Sequence, residues 1–509
     1  MKSRDADVAW TRTCDGLGLP RVATLSADEA SVLLKYMVAE VAAAPDCPAR
    51  NCATHRARLG LRQLVTEGLG ALDKALSPQT RRRVERALRE DLLYCERIID
   101  LAVSDLVSEP MAPEVCIALE ARAELPEDGS RWTHGILFHA APLITHEIYP
   151  LIADAFVHDS RVSGPFFRVV AVRGDWLIEG LAQRVLYYDG NSDRFIETSL
   201  TKPIGLDSIQ FLALGERQME RHRCWAASQS CQQLNPWSAS AAADDKHGLR
   251  LRWAAAGLEI PQGLLLQPGN RADAHAFLAA SDEIVIKPNT GTEGDRVMYF
   301  RRTDAAVDEQ LDMQLTSCWE WGPVLVEQRR DGVGWCDPDT GCVHSLALRL
   351  HVAHDGNHFI AESGYAQTGV DADHPASRGT GGRLMPLASV LQALICRADG
   401  RHIPFSADDL ARLREVVELA AGAHEPLGLS GIDVVLDTDE TGAVSPVLLE
   451  LNPRPAGLAH ARFLPGAGEG RCEAGVSLSM WDGIARTQSP AQSLGQTLAP
   501  ITHPDAMEV

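Results

Sequence analysis

The stretch "LLELNPRP" (448–455) sets Glu450, Asn452 and Arg454 at alternate positions at the end of an apolar run. Such a run reads as a strand, and residues two apart on a strand face the same side, so Glu450 and Asn452 share a face. Just upstream, "GIDVVLDTDETG" reads as a partner strand over 432–437, a turn containing Asp439 and Gly442, and a return strand over 444–451. Asp433 can therefore face the same side as Glu450. Carboxylates and a carboxamide converging on one point call for a cation. One reading is structural, with Glu450 paired to Arg454 and Asp433 capping a turn. The other is a metal site: hard oxygen donors suit Mg²⁺, with Mn²⁺ as the alternative ion, completed by water and substrate phosphates.

Further chemistry-bearing residues lie upstream. "DEIVIKPNTGTEG" ends a β-branched strand, 284–286, in Lys287 and continues into a small-residue loop. Backbone N–H groups of such a loop can approach phosphate oxygens, with the lysine as a point charge. The pattern is neither a Walker loop nor a dinucleotide fingerprint. A plain turn is the alternative, but Lys287 and the glycine loop together favour the metal reading of Asp433, Glu450 and Asn452. "DDKHGLRLRWAAAGLEIP" reads as a short helix with acidic N-caps and Lys246 in its first turn, ending at Gly257. "GPVLVEQRRDG" is a strand ending in Glu327, and "HSLALRLHV" (344–352) is a strand with Arg349 inside its apolar pattern. "GYAQTGVDADHPASRGTGGRLMPL" (364–387) reads as a long loop, of a length usually tied to function. Its Arg378 and Arg383 are candidates for holding a substrate carboxylate.

The elements that must position these residues sit in a chain of 509 residues with a net charge of −21. That charge argues against a nucleic-acid or anionic-membrane surface as partner, since such surfaces attract Lys/Arg stripes. A local basic pocket for phosphates remains open. No window approaches the ~20 apolar residues of a membrane span, and the first residues lack the order of a signal peptide. The 12 cysteines form no CxxC pair, which reads as reduced thiols in a cytoplasm. His134, His139, His146 and Glu147 match no ligand spacing and read as ordinary histidines and a carboxylate outside any metal site.

Helical stripes mark the N-terminal region: 27–44 behind Ser26, and Val84, Leu88, Leu92, Cys95, Ile99, Val103 and Leu106 at helical spacing. "ELPEDGSR" (124–131) marks a boundary. The chain divides into a mainly helical region, 1–129; a small α/β domain, 130–243, closed by a Ser/Ala-rich loop (228–245); a unit over 244–465; and a C-terminal helix and tail, 466–509, polar from 486.

Taken in order, "DK…AGLEIP", "IVIKPNTGTEG", "VLVEQ", "LRLHV", "GID" and "LLELNPRP" resemble the succession of motifs in ATP-grasp enzymes, over 244–465. The resemblance implies an α/β (α+β) fold of two subdomains that hold ATP between antiparallel sheets, preceded by a smaller α/β domain. It implies Lys246 and Lys287 as phosphate contacts and Gly291, Thr292, Glu293 and Gly294 as a flap over the triphosphate. Glu327, with the backbone of Val326 and Gln328, would read adenine. Asp433, Glu450 and Asn452 would be the Mg²⁺ ligands, and Arg349 and Arg454 would face the transferred phosphoryl group. Many relatives carry an arginine where this chain has Gly431, a place Arg349 can fill. No acidic residue shortly after Gln328 matches the usual ribose contact; Asp331 and Asp337 are the candidates.

Within that superfamily, "ALRLHV", "ESGYAQTG" and "LLELNPRPAGLAHARF" look most like the amide- and peptide-forming ligases of natural-product pathways, including the pheganomycin type. The resemblance implies an ADP-forming ligase that joins a small-molecule carboxylate to an amine through an acyl phosphate, with positioning and charge neutralisation doing most of the work. A homodimer, an ATP-binding regulator or scaffold, a kinase and a carboxylase stay open as alternatives.

Overall fold

The computed structural model describes residues 117–125, 132–138, 167–173, 176–189, 194–212, 231–291, 296–377, 380, 382–438, 443–455, 458, 461–465, 480, 481, 483 and 484. The expected N-terminal helices, the tail from 486, His139, His146, Glu147, Asp439 and Gly442 lie outside these residues, as do the site candidates Thr292, Glu293, Gly294 and Arg378.

The first sheet is built from β1 (Ile117–Ala123), β2 (Trp132–Phe138), β3 (Phe167–Arg173), β4 (Leu177–Ile178), β5 (Leu181–Asp189), β6 (Arg194–Gly205), β7 (Ser208–Leu212) and β8 (Gln232–Gln233). Their order is β1-β6-β5-β3-β2-β7-β8, with β4 on β5. Parallel pairs β2–β3 and β2–β7 lie at its centre, so β2 is covered on both edges. β1 departs from the sequence expectation, which ran a mainly helical region to residue 129. "IALEARA" is rich in helix formers, yet its backbone pairs in parallel with β6. Tertiary pairing overrides local propensity here. Apolar residues of the sheet, among them Ile136, Val170 and Ile209, pack with Trp481, Met480, Ile484, Leu429 and Leu458 into one core.

Two helices follow, α1 (Trp237–Asp244) and α2 (Lys246–Ala255). The Asp245 carboxylate accepts from the Gly248 N–H and caps α2, and Gly257 leaves the helix at φ +74°. Both ends match the capping signals in the sequence.

The second sheet holds β9 (Gly263–Leu266), β10 (Glu283–Pro288), β11 (Met298–Arg301) and β12 (Val324–Gln328), in antiparallel order β11-β10-β12-β9. α3 (Arg271–Ser281) and α4 (Val307–Trp319) cover one face, burying Ile284, Ile286, Val324 and Val326. Alternation then sends Lys287 and Glu327 to the opposite face.

The rest of the chain adds β13 (Val333–Cys336), β14 (Val343–His344), β15 (Leu346–His354), β16 (Phe359–Thr368), β17 (Arg383–Met385), α5 (Leu387–Leu391), β18 (Leu394–Cys396), α6 (Ala407–Gly422), β19 (Leu429–Thr438), β20 (Val444–Asn452) and β21 (Arg462–Phe463). They form a small sheet, β14-β13-β18, and a large one, β17-β16-β15-β19-β20, with β21 against β16. α6 starts with a Ser406/Asp409 capping box. It packs Leu413, Val417 and Ala420 with Leu350, Ile432 and Leu448 of the large sheet. The expected loop 364–387 is shorter than its composition suggested. Residues 364–368 complete β16 and Arg383–Met385 form β17, because β16 pairs on both edges.

Among the five described cysteines none is bridged, and among the described residues no helix is long and apolar enough to cross a membrane. His134 is fully buried beside Ser208, Nδ1 to Oγ 2.7 Å, and edge-on to Trp481. Burial lowers its pKa to about 4. The unfolded chain, with an ordinary histidine near 6.5, takes up this proton first as pH falls. His134 therefore costs stability between pH 6.5 and about 4 and nothing above. Stability against urea should fall by about 1.4 kcal/mol per pH unit from this group as pH drops through that window. His134→Gln should flatten the pH dependence of the urea midpoint by that slope, whatever its effect at pH 8.

Candidate active site

Three adjacent strands of the large sheet place a row of charges on the face away from α6. Arg349 on β15 lies opposite Asp433 on β19, and Asp433 lies opposite Glu450 on β20. The last pairing depends on a bulge: Val434 faces Leu448, but Asp433 faces Glu450. Without the extra residue, Leu449 would oppose Asp433 and Glu450 would point into the core.

Arg349 grips Asp433 as a fork, Nε to Oδ1 and Nη2 to Oδ2 both at 2.6 Å, and its Nη2 lies 3.7 Å from Glu450. Lys246 reaches Glu450 from α2 at 3.6 Å and donates to the Gly291 carbonyl at 2.6 Å. The Asn452 amide stands 3.5 Å from Asp433 and 3.4 Å from Glu450. Thus Asp433, Glu450 and Asn452 do converge. Burial pushes Asp433 up to about 6 against the pull of Arg349. Burial also works to raise Glu450, but Lys246 and Arg349 outweigh it and hold Glu450 at about 2. Two neighbouring carboxylates titrate as a pair, one losing its proton much more readily than the other.

Gly431 leaves room for the side chain of Arg349. A Cβ on Gly431 would come within 3.2 Å of the Arg349 Cδ and of the Pro455 Cβ. The stem of Arg349 occupies the room that a side chain at 431 would need.

On the second sheet, Lys287 does not stand alone. Its Nζ lies 2.5 Å from Glu327, whose other oxygen lies 2.9 Å from Arg250 Nε. The Glu327 side chain is 1% exposed. Gly263 makes the arrangement possible, since a Cβ there would meet the Val326 carbonyl at 2.5 Å and Arg250 Nη1 at 3.0 Å. This corrects the expectation that Glu327 reads a base, because its carboxylate is committed to two cations. Val326 lies inside the ladder between β10 and β9, and the Gln328 N–H donates to the Gln262 carbonyl. Neither amide is free to read a base.

Asn289 ties the two lysine-bearing elements together. It accepts from the His247 N–H at 2.9 Å, donates to Asp245 at 2.8 Å, and its carbonyl receives the Lys246 N–H. Lys246, Lys287, Arg250 and Arg349 set four positive charges against the three negative charges of Glu327, Asp433 and Glu450. The cluster is net positive within a chain of net charge −21.

Arg454 departs from expectation. It does not pair with Glu450, and it does not stand open toward a phosphoryl group. Its Nη2 is bound by both oxygens of Asp244 at 2.7 and 2.6 Å. Both ribose candidates are also committed. Asp331 is held by Arg329 at 2.6 Å and Arg397 at 2.9 Å. Asp337 receives the Asp339 N–H and pairs with Arg383 at 3.1 Å. Arg383 also lies over Trp335, which places it at the small sheet with its charge already met, not in the row with Asp433. Sequence reasoning missed Asn235, Asp244, Arg250 and Asn289. The last three lie inside the motifs around Lys246 and Lys287, but nothing local signals their partners.

No protein-family model and no curated protein sequence matches the chain. Solved structures similar to it include the VanG D-Ala:D-Ser ligase from Enterococcus faecalis, 14% identical, with 70% of this chain and 98% of that one covered at a TM-score of 0.44. The D-cycloserine synthetase DcsG is 18% identical, with coverage of 70% and 99% and a TM-score of 0.41. The ATP-grasp ligase PsnB, complexed with a phosphomimetic variant of its minimal precursor, Mg and ADP, is 16% identical, with coverage of 69% and 98% and a TM-score of 0.37.

Removing the charge of Glu327 strands two buried cations. Glu327→Gln should lower the unfolding free energy by about 3 kcal/mol, read from urea denaturation at neutral pH.

Proposed function

We propose that this protein is an ATP-dependent carboxylate–amine ligase of the ATP-grasp type, forming an amide or peptide bond through an acyl phosphate. The observation that carries the reading is the convergence of Asp433, Glu450 and Asn452 on one sheet face, ringed by Arg349 and Lys246. Nothing in the packing of an ordinary core requires two adjacent buried carboxylates; a bound cation that accompanies a phosphate substrate does.

The oxygen donors of Asp433 and Glu450 suit Mg²⁺, and the Asn452 amide, whose O and N are assigned by its neighbours, can turn its oxygen to the same point. When bound, Mg²⁺ would neutralise phosphate oxygens. The chain's own residues do the rest. Lys287, braced by Glu327, and Lys246, braced by Gly291, present point charges to the phosphates from two elements that Asn289 holds in fixed relation. Arg349 has a guanidinium aligned by Asp433, ready for the charge that develops on the transferred phosphoryl group. The substrates fall in the class of amino acids or small peptides of specialised metabolism, in a cytoplasm.

Purified protein with Mg-ATP should release ADP only when a suitable acid and a suitable amine are both supplied. Release with the acid alone would point to a kinase, and ATP binding without turnover over a wide panel would point to a regulator. Glu450→Gln should lower kcat by at least about 100-fold; full turnover would overturn the assignment. Arg349→Lys keeps the charge but loses the fork. It should lower kcat by about 100-fold while the Kd for ATP stays within about threefold.

A further inference from the structure

α2 carries two cations one turn apart, and they serve different sheets. Lys246 reaches Glu450 in the row of carboxylates, while Arg250 turns to the second sheet and meets Glu327. The Arg250 side chain is 5% exposed and that of Glu327 1%, so both act from inside the protein. The helix between them is held in place. Leu249 and Trp253 are fully buried on it, and the Trp253 ring N–H donates to the Ala420 carbonyl of α6 at 2.9 Å. Arg250 Nη2 donates to the Pro261 carbonyl, and Gly263 leaves the room that the guanidinium occupies.

What passes between Arg250 and Glu327 is charge. Nε and Oε1 stand 2.9 Å apart, yet neither atom makes a hydrogen bond among the described residues. Coulomb attraction needs no linear N–H···O angle, and a buried pair is weakly screened. The other oxygen, Oε2, lies 2.5 Å from Lys287 Nζ.

Glu327 does not need both cations. Lys287 alone would neutralise it, and a structural ion pair would be complete. Arg250 adds a second buried positive charge, which costs stability unless an anion answers it. Among the described residues, Glu327 is the only carboxylate in ion-pair contact with either cation. The trio therefore carries one positive charge in excess, inside a chain of net charge −21.

We propose that Arg250 is a positioning residue for the nucleotide phosphates: by holding one oxygen of Glu327 it keeps Lys287 from being neutralised, without touching the nucleotide itself. This rests on the reading above that Lys287 faces the phosphates of ATP. One fixed helix then sets the positive charge both at the carboxylate row, through Lys246, and at the second sheet, through Arg250.

Titration of the full chain with Mg-ATP, followed by calorimetry, tests this. Arg250→Gln leaves Glu327 paired with Lys287 and strands no charge, so a cooperative urea transition should show it folded. It should weaken Mg-ATP binding by about 10-fold and make the Kd less sensitive to added salt. Arg250→Met, which fills similar space without charge, should match it, whereas Arg250→Lys should stay within about threefold of the wild type. The double variant of Arg250→Gln with Glu327→Gln removes one positive and one negative charge, and so restores the excess. Its Kd should return to within about threefold of the wild type, whereas a purely structural Arg250 requires the double variant to bind more weakly than Arg250→Gln alone. Unchanged binding by Arg250→Gln, or a double variant weaker than it, would overturn the role of Arg250 while leaving the ligase reading intact. Absence of Mg-ATP binding by the wild type would overturn both.

Discussion

Two carboxylates side by side on one face of a sheet repel each other and lose solvation, so cations must come from other elements. Asp433 and Glu450 are such a pair, and the surrounding architecture answers them. Arg349 comes from the neighbouring strand, Lys246 from the helix across the cleft, and Asn452 from the next outward position on β20. Each has a side chain aimed by a backbone feature: the register of β15, the cap of α2 and the alternation of β20.

The opposite wall solves a related problem with the signs reversed. Lys287 and Arg250 are buried cations, and Glu327 sits between them as the shared anion. Replacing Glu327 would leave two uncompensated buried cations, so the trio's geometry depends on the shared anion. Arg250 and Lys246 lie one turn apart on α2, so the helix carries one cation to each wall. Asn289 then locks the start of that helix to the end of β10. The result is a locally positive cluster in an acidic protein.

Much of this was legible from residue patterns. The β-branched and apolar runs around Lys287, Glu327, Arg349, Asp433 and Glu450 all form strands near the expected bounds, because burial on a sheet imposes its period on the residues themselves. The cap and stop of α2 were equally plain. Partners across the chain were not. Arg454 sits four residues from Glu450 in sequence but pairs with Asp244, 210 residues away. Asp331 and Asp337 carry the right charge for a ribose contact, yet Arg329, Arg397 and Arg383 claim them. The helix-favouring composition of Ile117–Ala123 was misleading for a similar reason, since a neighbouring strand decided its conformation.

Residues 448–455 show where the division falls. By itself the sequence determined that Glu450 and Asn452 share a face, because alternation is a local property of any extended backbone. It also determined which residue types were present for hard-oxygen and phosphate chemistry. That Asp433 meets Glu450 was decided only by the tertiary structure, through one extra residue in β20 that shifts the register between Val434–Leu448 and Asp433–Glu450. That Arg349 takes the place of a side chain at Gly431, and that Asp244 holds Arg454, were decided there too. Charge pairing depends on distance in space, and sequence separation carries almost no information about it.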